Sequence, residues 1–92
     1  MHTPGHTEGS ISLHDGAAGI LYSGDTLFQG AWGRTDLPGG DDAAMIASLA
    51  RLAALDPATR VIPGHGHETR IGDESDWIAR VVQSGALQME RR

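Results

Sequence analysis

A small layered α/β (α+β) domain is the fold class this sequence predicts, and three observations predict it. Short apolar segments at residues 11–13, 20–22 and 60–62 are too brief for helices and end at Gly, Asp or Pro. Two longer stretches, Met45 to Ala53 and Trp77 to Val82, repeat apolar residues at helical spacing. The resulting order, β-β-α-β-α, is one in which helices cover a sheet.

Each element follows from its residues. Residues 10–14 alternate Ile11 and Leu13 with polar neighbours, the pattern of a half-buried strand. Asp15-Gly16 marks a turn, and Ile20, Leu21 and Tyr22 form a second strand that stops at Ser23-Gly24, so the two read as a hairpin. Residues 24–40 are glycine-rich and aperiodic, which predicts an ordered loop. Asp41 or Asp42 is placed to cap the helix that carries Met45, Leu49 and Leu52, with Ile46 and Ala53 widening its apolar stripe. Asp56-Pro57 is expected to end that helix, and a third strand over 60–62 runs into "PGHG". Asp73 is the expected N-cap of a last helix, with Glu74 and Asp76 suited to its positive end. Trp77, Ile78, Val81 and Val82 form the apolar face of that helix, and Gly85 is its stop.

Size and composition bound the function. The 92 residues fit one small domain, 1–92, and 39% apolar content with thirteen glycines predicts a thin stability margin. A formal charge of −5 argues against a nucleic-acid partner, and the seven basic residues are all arginine, with only Arg91 and Arg92 adjacent. Without cysteine there are no disulfides and no thiolate metal sites. No apolar run approaches the roughly 18 residues needed to span a bilayer, so no membrane partner is expected. The segment "MHTPGHTEGS" looks like neither a signal peptide nor a basic transit sequence, and a cytoplasmic setting is the expectation.

The chemistry lies in three glycine-marked turns at expected strand ends: His6 in "HTPGHT", Asp25 in "SGDTLF" and His65 in "PGHG". Imidazole and carboxylate are good ligands for a zinc-like divalent ion. Aspartate, with two oxygens on a short stem, suits a bridge between two ions about 3.5–4 Å apart. His2 and His6 are not an i, i+4 helical pair, because Pro4-Gly5 lies between them. A lone "GD" is ordinary in turns and "PGHGH" alone reads as a turn with exposed histidines. The ordered combination points to a metal site. His14 and His67 read as surface residues, and Trp77 as helix packing.

That combination resembles the metallo-β-lactamase fold superfamily, and within it the hydroxyacylglutathione hydrolase (glyoxalase II-like) branch. The stretches that carry the resemblance are "HTPGHTEGSISL", "LYSGDTLFQGAWGRTDLPGGD" and "VIPGHGHETRIGDE", in the family's order. It implies that His6 ligates a first metal, His65 a second, and Asp25 both, positioning the hydroxide that would attack a substrate carbonyl. His2, Thr7 and Thr26 would support the ligands by hydrogen bonds, and Arg34 and Asp36 would lie in the substrate loop. Two zinc ions would fill the complete site, with iron or manganese as alternatives, and the substrate would be a small-molecule thioester or ester such as an acylated glutathione.

The family's T-H-x-H-x-D-H motif, which supplies further histidine and aspartate ligands, is absent. The resemblance therefore implies the C-terminal half of an αββα sandwich, a partial domain with an exposed sheet face and an incomplete set of ligands. Self-association, or docking of a complementing N-terminal half, is the expected consequence. If His6 and His65 moved inward, one ion would have two histidines and a carboxylate. Two other readings stand beside the hydrolase. One is a persulfide dioxygenase-like iron enzyme using two histidines and an aspartate. The other is a fragment without catalysis of its own.

Overall fold

The computed structural model describes residues 1–87 and has the element order β1 (Leu13–Asp15), β2 (Ile20–Gly24), β3 (Leu27–Phe28), β4 (Ala31–Trp32), α1 (Asp42–Ala53), β5 (Arg60–Pro63), β6 (Thr69–Arg70) and α2 (Ile71–Ser84). The Arg91–Arg92 pair lies outside the described residues. Four strands form a sheet in the order β1-β2-β5-β6, and β3 and β4 form a separate hairpin. The layered α/β class holds, with three short strands beyond the predicted order.

One face of the sheet is covered. Leu21 on β2 and Val61 on β5 are cross-strand partners, and both are fully buried against Met45, Leu49 and Leu52 of α1 and Ile71, Ile78 and Val81 of α2. The predicted stripe of α1 is thus the face that meets the sheet. Asp41 caps this helix, its carboxylate accepting the Ala44 amide hydrogen at 2.9 Å, and Gly85 ends α2 in the left-handed conformation at φ 71°. Replacing Asp41 by alanine should cost about 1 kcal/mol, read as a lower urea midpoint with an unchanged slope. An unchanged midpoint would show that the cap contributes nothing.

Among the described residues nothing covers the opposite face. Leu13 and Tyr22 are paired across β1 and β2 and are 60% and 46% exposed, and Ile11 is 58% exposed. The expected uncovered apolar face is therefore present.

Four sequence expectations about the elements shift. Strand β1 begins at Leu13 rather than residue 10, because the backbone of Ser10 and Ser12 bonds to Thr3 and Met1 instead. The predicted loop 24–40 contains the β3–β4 hairpin, whose two-residue strands are too short to show alternation. Helix α1 stops at Ala53, ahead of Asp56-Pro57. Asp73 is not an N-cap: α2 starts at Ile71, and no side chain caps it. Its first amides instead donate to the Thr59 and Pro57 carbonyls at 3.0 and 2.9 Å, which removes the need for a cap.

Candidate metal centre

Strand topology brings Asp25 and His65 together. Strands β2 and β5 are parallel neighbours, so their carboxyl ends lie side by side, the usual place for a site in such sheets. The register shifts between Tyr22 and Gly24, and the Gly64 amide donates to the Gly24 carbonyl at 2.8 Å, which aligns the two turns. Asp25 follows Gly24 directly, and His65 follows Gly64.

His6 arrives from a different part of the chain. Residues 1–12 fold back on themselves, with the Thr3 amide donating to Ser10 at 2.9 Å. They are fastened to α1 by the Ser48 hydroxyl on the Pro4 carbonyl, by Arg51 on the His2 carbonyl and by the Asp41 amide on the Gly5 carbonyl. Gly5 lies so close to the Met45 backbone that a Cβ there would stand 2.5 Å from the Met45 Cα. That close packing requires glycine.

The three predicted donors meet around the Asp25 carboxylate. His6 Nε2 lies 3.7 Å from Oδ2, and His65 Nδ1 lies 3.4 Å from Oδ1. Each imidazole faces its own oxygen. The His6 ring is oriented by the Arg34 carbonyl, which accepts from Nδ1–H at 2.8 Å; the proton held there leaves the Nε2 lone pair turned toward Asp25. The His65 ring rests on Phe28, with ring centroids 4.6 Å apart. Among the described residues no three His, Cys, Asp or Glu side chains close around one point. The donors form two pairs that share a carboxylate.

This donor set fits divalent metal, though only in part. Two ligands bound tetrahedrally to one zinc-like ion at about 2.0–2.2 Å stand about 3.4 Å apart, close to the spacing of the His65–Asp25 pair. Each pair supplies two donors where a closed site uses four. A cavity of about 210 Å³ opens here, lined by His6, Asp25, Phe28, Gly33, Arg34 and His65.

The other predicted residues fall into two groups. Thr26 is buried beneath Asp25, its hydroxyl donating to the Thr3 carbonyl at 3.3 Å and its carbonyl accepting from the Gly33 amide at 3.3 Å. Arg34 lies at the cavity and is paired with Asp36 through Nε and Nη2 at 2.8 and 3.0 Å. Those bonds raise its guanidinium further above its ordinary value, so it stays cationic. His2 and Thr7 bond elsewhere, His2 Nε2 to the Glu8 carbonyl at 2.6 Å and the Thr7 hydroxyl to Ser10 at 2.7 Å. They shape the turn that carries His6 without touching the three donors.

The His65 loop is closed by Arg60 and Glu68, paired at 2.6 and 3.0 Å, and Arg60 holds the Glu68 carboxyl below its usual range. His14 and His67 are exposed, and Trp77 packs on Trp32 with centroids 5.6 Å apart, as its helical spacing suggested. Phe28 and Glu74 carry no site signal of their own in the sequence, whereas Gly33 lies in the 32–36 stretch that the resemblance implies lines or supports the site. Phe28 and Gly33 sit in the stretch that reads as loop, and Glu74 reads from sequence only as an acidic residue near a helix start.

The profile of the metallo-beta-lactamase superfamily matches residues 1–65. The chain belongs to that superfamily. Hydroxyacylglutathione hydrolase GloC of Haemophilus influenzae is 43% identical over 75 residues, which cover 80% of this chain and 35% of the relative. Among solved structures, TTHA1623 in a di-iron-bound form superposes with a TM-score of 0.80 at 49% identity, over 82% of this chain and 38% of that one. ETHE1 from Myxococcus xanthus superposes at 0.79 and 36% identity, over 90% and 38%. This metallo-beta-lactamase superfamily chain thus spans a little over a third of the length of these relatives. Among its described residues no helix is long and apolar enough to cross a membrane.

Proposed function

We propose that this chain carries part of the active site of a metal-dependent hydrolase acting on a thioester such as an acylated glutathione. The observation that carries the reading is the Asp25 carboxylate, each oxygen facing a different imidazole. In this reading His6 and His65 would each hold one ion and Asp25 would serve both, with zinc as the resident metal. Divalent ions held by these residues would supply activation of water for attack at neutral pH.

The chain's own groups prepare the site. The Arg34 carbonyl keeps His6 in one tautomer. Phe28 supports the His65 ring and forms an apolar wall of the cavity. Arg34 offers a permanent cation to an anionic substrate. The arrangement in two pairs favours this reading over a single iron held by both histidines and Asp25, although the di-iron form of a similar structure keeps iron among the metals to be tested.

The remaining donors belong, in this proposal, to a complementing N-terminal half docked on the exposed face at Ile11, Leu13 and Tyr22. The chain alone should bind zinc weakly, lose it on dialysis and hydrolyse no thioester. Mixed with the preceding portion of the Haemophilus relative, it should retain metal and cleave the thioester of an acylated glutathione. A mixed complex that stays inactive with zinc, iron and manganese refutes the assignment.

A further inference from the structure

We infer that Glu74 is a positioning residue that couples the support of His6 to the support of His65. The inference deepens the proposed metal site and rests on it.

Glu74 is 3% exposed and lies in the first turn of α2. A carboxylate there is costly to bury unless its oxygens are satisfied. Three donors from three places satisfy it. Oε1 accepts the Gly30 amide and the Trp77 indole N–H, both at 2.7 Å, and Oε2 accepts the Thr69 hydroxyl at 2.6 Å. A carboxylate suits this because it is acceptor-only, with about four lone-pair positions on two oxygens.

Two of these donors lead to the metal donors. Gly30 forms the turn between β3 and β4. One strand of that hairpin carries Phe28, on which the His65 ring rests, and the other leads into Gly33 and Arg34, whose carbonyl orients His6. Thr69 opens β6 at the far end of the loop that presents His65, and it pairs with Val61 of β5. The third donor, Trp77, stacks on Trp32 of β4 and fixes the same hairpin from below. One buried carboxylate therefore sets where the hairpin stands relative to the His65 loop.

The experiment compares Glu74→Ala, Glu74→Gln and Thr69→Val with the unaltered chain. Long-range ¹H–¹⁵N spectra report the imidazole tautomers, and zinc titration reports affinity. Glutamine keeps the oxygen that serves Gly30 and Trp77, and its amide can donate to the Thr69 hydroxyl. Glu74→Gln should therefore restore both signals. Glu74→Ala should release His6 from its single Nδ1–H tautomer, and it should weaken zinc binding by about 10–100-fold, the usual effect of losing an outer support. Thr69→Val should change the His65 signals and leave those of His6 in place.

Folded Glu74→Ala with unchanged His6 and His65 spectra overturns the inference. Should Glu74→Ala not fold, Thr69→Val decides, and unchanged His65 signals in that variant overturn it equally. The function can fail separately: a mixed complex that binds zinc but cleaves no thioester refutes the hydrolase assignment and leaves the spectra as the test of Glu74.

Discussion

Replacing Gly33 by alanine is expected to disrupt the site and the fold together. Gly33 is buried, and a Cβ there would fall inside the Asp25 carbonyl oxygen, 3.1 Å from the Asp25 carbonyl carbon and 3.3 Å from the His6 Cβ. Two of these obstacles are backbone, so no change of rotamer relieves them. The end of β4 must move off the Asp25 turn, which pulls on the Gly33–Thr26 backbone hydrogen bond at 3.3 Å. Overpacking of this kind costs about 1–3 kcal/mol, and more where backbone must shift. Because Arg34 follows Gly33 and its carbonyl orients His6, the same movement should free the His6 ring. A denaturant midpoint and a His6 tautomer both equal to those of the parent chain would refute this account of Gly33.

Asp25→Ala should abolish metal binding and leave the fold nearly intact. The carboxylate is shared by both donor pairs, so its loss leaves two isolated imidazoles. Removing a group that only supports a ligand costs about 10–100-fold in affinity, and a donor common to both pairs should cost more than that. The side chain is about half exposed, and the turn around it is held by backbone bonds and by buried Thr26. Unfolding should therefore shift little. His6→Ala and His65→Ala should each remove one pair and leave the other. Zinc titration of the three variants separates these outcomes, and parental affinity in Asp25→Ala would exclude Asp25 as the bridge.

Much of the fold is legible in the residues because it depends on local pattern. Met45, Leu49 and Leu52 repeat at helical spacing and lie under the sheet. Asp41 has the chemistry of a cap and acts as one. Local pattern misleads at β1, which reads as half-buried but is exposed at all three residues, because the side that Leu13 shares with Tyr22 has no cover among the described residues. The missed elements depend on partners distant in sequence. The β3–β4 hairpin is two residues per strand, below the length at which alternation can be seen. It is held in part by Glu74, 44 positions from Gly30. The start of α2 is set by carbonyls at Pro57 and Thr59 rather than by its own Asp73.

His6, Asp25 and His65 were likewise readable as candidate donors, since each sits in a short glycine-marked motif. Their support was not. That the Arg34 backbone carbonyl, rather than its side chain, orients His6 follows from a contact spanning 28 positions. That Phe28 carries the His65 ring follows from the hairpin.

Taken alone, the sequence determined which residues could ligate metal, most of the stripe each helix buries (Val82 of α2 stays 41% exposed), and the superfamily to which the chain belongs. These are properties of residue type and short-range spacing. Only the tertiary structure decided that each oxygen of Asp25 faces its own histidine, and that Glu74 ties the two supports together. Those depend on parallel β2 and β5 ending side by side and on a buried carboxylate collecting donors from three elements. Chain closure over tens of residues brings such groups together, and no local pattern records it.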